Sequence, residues 1–599
     1  MPAPASSAPN GGETTASSDS ADSVSIRFCV ILPCTPLDDW KLSTVRQLLA
    51  HGSTEPVAFI LESGSRGDRG PDAPAGSPQP WPARGGGGEE CAHESLSSLA
   101  SARRVPRWPL HSDDHSAGEP AAALVQRLRT AGVDFVLDLR DGPFDVRLAE
   151  AARFGVWRFE HADEDPSAAG SRFWWTAWDG EPVIGTRLLL VAAGESAPSV
   201  LREGFVPLLR YAFASSVRSL LQESARWPAQ ACTDIANGVL SRERVTIMPE
   251  RHARGRPHLG QRLAFHLRGI AHLVRGASAK LFLHDHWRVG VIDARIDAVM
   301  RNPTAVAPTW LPWRPRGEFY ADPFGVVRDG KLTILCETLD YATNRGAIAH
   351  TSTTAEEDAP LGRVDIGPEV HRSYPFLLEH AGELYCVPET YRAKEVAIYR
   401  ASAFPTTWEK VATLISGLPL LDATLFRHEE RWWLACTNQV QGQNLNLHLW
   451  HANQLLGPWH PHAVNPVKTD PRSSRPAGTP FWSDGVLYRP AQDCSRTYGG
   501  GIMINRVTTL TPTEFREEVA AVIEPGTFGA GLTGAHTLSA AGNWTLIDAK
   551  RPRFAFSAFR RSIRASWWLV KRAVLAPRVR RADTTAAAPA CAVVVDEAR

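Results

Sequence analysis

YADPFGVVRDGKLTILCET (320–338), SYPFLLEHAGELYCVPET (373–390), LDATLFRHEERWWLACTN (421–438), GTPFWSDGVLYRPAQD (478–493) and GAHTLSAAGNWTLIDA (534–549) share one pattern. Each is an apolar strand, a tight polar turn (RDGK, HAGE, HEER, SDG, AAGN) and a second apolar strand. The corresponding points Asp322, Tyr374, Asp422, Gly478 and Gly534 are 52, 48, 56 and 56 residues apart. A repeat of roughly 50 residues built only from strands predicts a β-propeller, here with five blades over 279–552. Cys336, Cys386 and Cys436 recur at one place in three units and read as small buried core residues.

Propeller geometry turns the repeat into a ring. First strands start, and second strands end, on one face near the central channel. The starts supply Asp322, Tyr374, Asp422, Thr479 and His536, and the ends supply Glu337, Glu389, Asn438, Gln492 with Asp493, and Asp548. Arg489 is placed in the same lining. Carboxylates, amides and a phenol together offer the donors and acceptors that sugar hydroxyls need. Trp310, Trp313 and Phe319, just upstream, are candidates to stack on a sugar face. The competing reading is that the acids pair with arginine inside the channel.

Upstream of the propeller the pattern changes. Apolar runs at Ile26–Pro33, Pro56–Leu61, Asp134–Leu139 and Gly155–Phe159 alternate with helical spacing at Leu37–His51, Pro120–Ala131 and Asp145–Phe154. This predicts a multidomain chain, with a Rossmann-like α/β domain over 25–225 ahead of the all-β propeller. Residues 1–24 and about 63–118 are rich in Gly, Pro and Ser and are expected to be a disordered tail and insertion. Residues 206–224 and 261–274 carry helical spacing, and 226–278 is expected to be a helical linker.

Composition narrows the function classes. The 599 residues carry 65 basic and 64 acidic side chains, which argues against a nucleic-acid binder. No apolar run reaches the roughly 18 residues that span a bilayer. The first 24 residues lack the basic start and apolar core of a signal peptide, so a cytoplasmic protein is expected. The nine cysteines include no CxxC pair, which argues against a zinc ribbon. His284-Asp285-His286 puts two imidazoles on one strand face, but with no third ligand in view it does not define a metal site. Residues 550–581 hold eleven Lys or Arg and no acid, with Phe556, Phe559, Ile563, Trp567, Val570 and Val574 three or four apart. This predicts a basic amphipathic helix over 553–582, suited to an anionic membrane surface or to docking on the protein itself, followed by a disordered tail over 583–599.

The ADPF motif with Asp322, the LDATLF motif with Asp422 and the five hairpin units resemble the family 43 glycoside hydrolases. That resemblance implies a general-base role for Asp322 and a pKa-setting role for Asp422. The general-acid Glu would stand on the fourth blade, where this chain reads Gly478-Thr479-Pro480. Hydrolysis by inversion needs both acid and base, so an active glycosidase here requires a relocated acid, with Glu389 the first candidate. His536 resembles the channel histidine that helps hold a central cation in some members, which makes such a cation an expectation. FYADPF, SYPFLLEH, PET, LDATLF, RPAQDCSRTYGGGI and GLTGAHTLS resemble more closely the propeller in the N-terminal region of plant glucosamine inositolphosphorylceramide transferases. Only about 45 residues follow the propeller, so the resemblance does not carry the transferase domain.

The segment FGVWRFEHADEDPSAAGSRFWWTAWDGEPVIGTRLLLV (154–191) resembles the formyltransferase domain of methionyl-tRNA and sugar-nucleotide formyltransferases. His161 matches the family histidine. Phe159 stands where its Asn belongs, and Ala193-Gly194-Glu195 where its later Asp is expected. An Asn that polarises an oxyanion has no apolar substitute, so this domain reads as a degenerate remnant. The resulting expectation is a carbohydrate-binding or carbohydrate-modifying protein of bacterial glycoconjugate or surface-polysaccharide metabolism, with a sugar or glycoconjugate as partner. The alternatives are the glycosidase with a relocated acid and a non-catalytic scaffold, cytoplasmic and peripheral at the inner membrane.

Overall fold

The computed structural model describes residues 25–33, 35–63, 92–111, 119–141, 145–161, 167–195, 197–240, 243–244, 254–312, 317–341, 343–352 and 361–554. The N-terminal tail, most of the 63–118 insertion, the acidic pair Asp163 and Asp165 that follows His161 in sequence, Trp313 and the stretch beyond 554 lie outside them.

Strands β1 (Ile26–Leu32), β2 (Thr54–Ser63), β3 (Arg107–His111), β4 (Phe135–Asp138), β5 (Val156–Phe159), β6 (Val183–Val191), β7 (Ser199–Pro207) and β8 (Glu243–Arg244) form one mixed sheet. Its order is 3-2-1-4-5-6-7-8, parallel from β3 to β5 and antiparallel thereafter. Alternate residues of β1 feed two cores, Phe28 and Val30 on one face and Cys29 and Ile31 on the other. Phe135 stacks on Trp157 at 3.8 Å between centroids. Helices α1 (Asp39–Ala50), α2 (Ala92–Ser97), α3 (Glu119–Thr130), α4 (Arg172–Asp179), α5 (Phe213–Ser224) and α6 (Trp227–Ala236) accompany the sheet.

Four expectations change here. Part of the insertion is built: α2 and β3 are ordered elements, and β3 is the edge strand beside β2. The 206–224 stretch is not one helix, because Val206 belongs to the strand Ser199–Pro207 and α5 starts only at Phe213. Asp145–Phe154 yields only a short 3-10 turn over Val146–Ala151. Finally, α6 is no linker, since Trp227, Ala231 and Cys232 are buried in the core of the α/β domain.

After α7 (Leu259–Phe282) the five blades follow. Inner hairpins at 318–340, 373–389, 420–438, 481–492 and 538–554 match the five sequence units. Three of their turns take positive φ at both central residues, Asp329-Gly330 (52°, 73°), Ala381-Gly382 (51°, 81°) and Asp484-Gly485 (52°, 75°). The fifth blade is completed by Leu283–Ile292, which pairs with the strand Trp544–Phe554 from Ile292–Thr545 to Leu283–Phe554. The propeller is thus closed by a strand that precedes the repeat, and it runs through Phe554 rather than stopping at 552.

The two halves pack directly together. Arg226 donates to Asn446 Oδ1 (2.9 Å) and Thr469 Oγ1 (2.7 Å), and Gln230 donates to the carbonyls of Val464 and Pro466. Leu445 of the third blade joins the apolar cluster of Phe173, Val206 and Phe265.

Candidate functional site in the propeller channel

Four of the five inner strands carry the same backbone device near their start. Asp322, Tyr374 and Asp422 have φ of 51°, 44° and 50°, and Gly478 has 111°. The strand register slips beside each of the first three. A left-handed non-glycine residue costs about 1–2 kcal/mol, so something must hold it. Carboxylates from the ring do so. Asp548 Oδ2 accepts the Asp322 amide (2.9 Å), Asp322 Oδ2 accepts the Tyr374 amide (3.2 Å), and Glu389 Oε2 accepts the Asp422 amide (3.0 Å). Each acid stitches its own blade to the next.

The fourth blade joins by a cation. Arg475 donates from Nε to Asp422 Oδ2 (2.6 Å) and from Nη2 to Asp422 Oδ1 (3.2 Å), and Nη2 lies 3.7 Å from Glu389 Oε2. Burial opposes charge on this guanidinium, but Asp422 and Glu389 more than offset it and hold the proton more tightly than usual. Gln492 adds a bond to Asp422 Oδ2 (2.8 Å). At Gly478, the position expected to lack the general acid, an added Cβ would sit 2.1 Å from the Leu538 carbonyl oxygen. No side chain fits there. The Tyr374 hydroxyl instead accepts the Gly478 amide (2.7 Å) and shares a bond with Thr424 (2.8 Å). Burial first, then Asp422, pushes the Tyr374 phenol up, so it stays protonated.

Between the fifth and first blades lies an imidazole. His536 Nδ1 is 2.6 Å from Asp548 Oδ2 and Nε2 is 3.4 Å from Asp322 Oδ1, while Trp287 stacks on the ring at 3.9 Å. Burial disfavours the imidazolium, but Asp548 and Asp322 outweigh it and raise its pKa above 6.5. Protonated His536 therefore stabilises the fold fully below the unfolded value of about 6.5, and that contribution disappears as pH rises through the higher folded value. A melting series from pH 6 to 9 should show wild type losing stability relative to His536→Asn, and parallel curves would refute the assignment. The expected central cation has its ligands here, because Asp322, His536 and Asp548 atoms lie within 4.8 Å of one another. Asp548 Oδ1, however, already accepts the His536 and Thr537 amides, and Oδ2 the Asp322 amide. With Asp548 Oδ1 filled by two amides and the imidazolium supplying positive charge, a cation held here would have to displace the His536 proton.

The other expected residues scatter. Glu337 lies 3.5 Å from His371 Nε2. Asn438 turns Oδ1 to the Val440 amide, and Asp493 turns Oδ1 to the Ser495 amide. Arg489 is not part of the ring, as its guanidinium is held by Glu517 (2.6 Å) and the Ser473 carbonyl (2.6 Å). Arg475 itself was missed, because RSSRPA (472–477) precedes the fourth unit and lies outside the repeat. Beyond it the ring opens to a half-buried rim, where Asn444 Oδ1 accepts from Arg475 Nη1 (3.1 Å) and Tyr498 lies 5.1 Å from the guanidinium.

In the α/β domain His161 is buried, shares a bond with Thr186 Oγ1 (2.9 Å) and packs against Trp40 and Phe159. Burial, then Arg172 and Lys41, pushes its pKa down to about 3, so it is neutral at ordinary pH. Glu195 does not approach it. Val156 pairs with Val191 and Phe159 with Leu188, so the β6–β7 turn carrying Glu195 lies at the other end of β5. The carboxyl edge of the sheet, where doubly wound domains take ligands, holds Asp138 clasped by Arg140 (3.0 Å). His284 and His286 are spent on Tyr341, the first by stacking at 4.7 Å and the second by a 3.0 Å bond.

Comparison with known proteins finds similarity over much of the repeat region. Residues 302–530 match the family model glucosamine inositolphosphorylceramide transferase 1, N-terminal. Glucosamine inositolphosphorylceramide transferase 1 of Oryza sativa subsp. japonica is 33% identical over 223 residues, 36% of this chain and 30% of the relative. The Arabidopsis thaliana protein of that name is 34% identical over 223 residues, 36% of this chain and 29% of its own length. The chain thus spans under a third of the curated relatives it matches. Among solved structures, Zg3597, a family 117 glycoside hydrolase of Zobellia galactanivorans, aligns at 14% identity over 45% of this chain and 91% of its own, with a TM-score of 0.29. Glycinamide ribonucleotide transformylase 1 from Symbiobacterium toebii aligns at 17% identity over 37% and 93%, with a TM-score of 0.26.

Proposed function

We propose that this chain is a carbohydrate-recognition protein of bacterial glycoconjugate or surface-polysaccharide metabolism, and that its propeller binds a sugar without hydrolysing it. The observation that carries the reading is Arg475, whose guanidinium occupies Asp422 and Glu389, two of the three carboxylates a glycosidase would use here. Asp422 is held bidentate, and Glu389, the expected stand-in acid, has its oxygens engaged by the Ser373 hydroxyl, the Asp422 amide and Arg475. A general acid must present a proton to the leaving oxygen, and neither group is arranged to do that. Sugar contacts fall on the half-buried rim of Asn444, Asp493 and Tyr498, where an amide, a carboxylate and an aromatic face combine. The sugar-related names of the family model matching 302–530 and of the relatives support the substrate class.

The test is calorimetric titration with a panel of sugars, nucleotide-sugars and oligosaccharides, with each hit assayed for turnover. Binding without turnover is expected, weakened about tenfold or more in Tyr498→Ala, the scale of losing one aromatic contact. Turnover abolished by Asp322→Asn and Glu389→Gln would restore the glycosidase reading. Silence across the panel would leave the propeller a scaffold.

A further inference from the structure

Helix α7 touches the rest of the chain by one narrow face. Phe265 packs on Trp174 at 5.0 Å, and Gly269 backs onto the backbone of Arg210 and Tyr211. Leu259, Leu263, Leu267, Ile270 and Val274 follow at spacings of four, four, three and four, which places them on a single stripe. They are between 56% and 82% exposed. At 1.5 Å per residue the stripe runs for about 22 Å. A helix on a globular surface ordinarily turns such a stripe inward, and here it faces out.

Charge decides what covers it. From 251 to 284 the sequence holds seven Arg or Lys and no Asp or Glu. The far end of the helix also adjoins the last described strand, with Phe282 stacked on Phe554 at 6.1 Å, and residues 555–581 add eight more Arg or Lys without an acid. A second copy of this helix, or the downstream basic stretch, would bring like charge against like. The complement of an apolar stripe with cationic flanks is an apolar, anionic layer. We propose that α7 docks the protein on an anionic phospholipid surface, its Leu259–Val274 stripe entering the boundary between headgroups and acyl chains. It lies along the surface, because among the described residues no helix is long and apolar enough to cross a membrane.

Flotation of the full-length chain with vesicles of phosphatidylcholine containing phosphatidylglycerol, and of phosphatidylcholine alone, tests this. Binding is expected to the anionic vesicles, to fall as salt is raised, and to drop tenfold or more in Leu267→Glu/Ile270→Glu. Both positions are exposed, and an unchanged melting curve would show the variant folded. Trp567→Glu separates the downstream stretch from the helix. If it abolishes binding while the α7 variant binds like wild type, the proposal is wrong. Equal binding to both vesicle types, or a concentration-dependent dimer dissolved by the α7 substitutions with no flotation, would also overturn it.

Discussion

Arg475→Met is expected to destabilise the propeller by about 3–5 kcal/mol, because it leaves Asp422 and Glu389 buried without their cation. Both carboxylates are at most 1% exposed at the side chain, so water cannot take over. For a domain of this size the melting temperature should fall by roughly 10 °C. Arg475→Lys should recover little, since an ammonium cannot span Asp422 in two places and also reach Glu389 and Asn444. The informative comparison is the double variant Arg475→Met/Asp422→Asn. Removing charge from both partners should restore much of the loss, giving a coupling of more than about 1 kcal/mol in a double-mutant cycle. A single variant within about 1 kcal/mol of wild type, read by chemical unfolding of the propeller transition, would show the clasp to be dispensable.

Asp548→Ala should cost at least as much, for a different reason. Asp548 accepts the amides of Asp322, His536 and Thr537 and faces the His536 imidazole. Each buried donor left without an acceptor costs about 1–3 kcal/mol, and three are orphaned together. Asp548→Asn is nearly isosteric but turns an NH2 toward either the Asp322 amide or the two amides of the fifth blade, so it should rescue only part. The expected sequence is wild type, then Asn, then Ala, with the gap to Ala above about 3 kcal/mol. Equal stability of Asn and wild type would mean that the carboxylate's charge adds nothing to its geometry.

These effects follow from residues of unequal visibility in the sequence. The hairpins were legible because local chemistry dictates them, an alternating strand, a turn whose Asp-Gly tolerates positive φ, and another strand. Asp322, Tyr374 and Asp422 stood out by spacing alone, and all three lie at the left-handed kink. What they bond was not legible. Asp422 meets Arg475 across 53 residues and Asp322 meets Asp548 across 226, and no periodicity carries such pairings. The polar ring that suggested sugar hydroxyls largely satisfies its own amides, and two of its acids, Asp422 and Glu389, pair with an arginine, as in the competing reading. Val206 misled because the spacing of apolar residues across Pro207 resembles a helix until strand pairing is known. β3 was hidden by the Gly- and Pro-rich composition around it.

The strand Leu283–Ile292 has a consequence for synthesis on the ribosome. It emerges early, yet its partner ends at Phe554, 271 residues beyond its own first residue. At roughly 5–20 residues per second the nascent chain waits on the order of 10–50 s with this strand unmatched by its final neighbour. During that interval an apolar edge is open to other chains, and a polypeptide released before Thr545, where its pairing with Ile292 starts, keeps it open permanently. Premature termination before that point in the last blade should therefore yield an aggregating product rather than a four-bladed one.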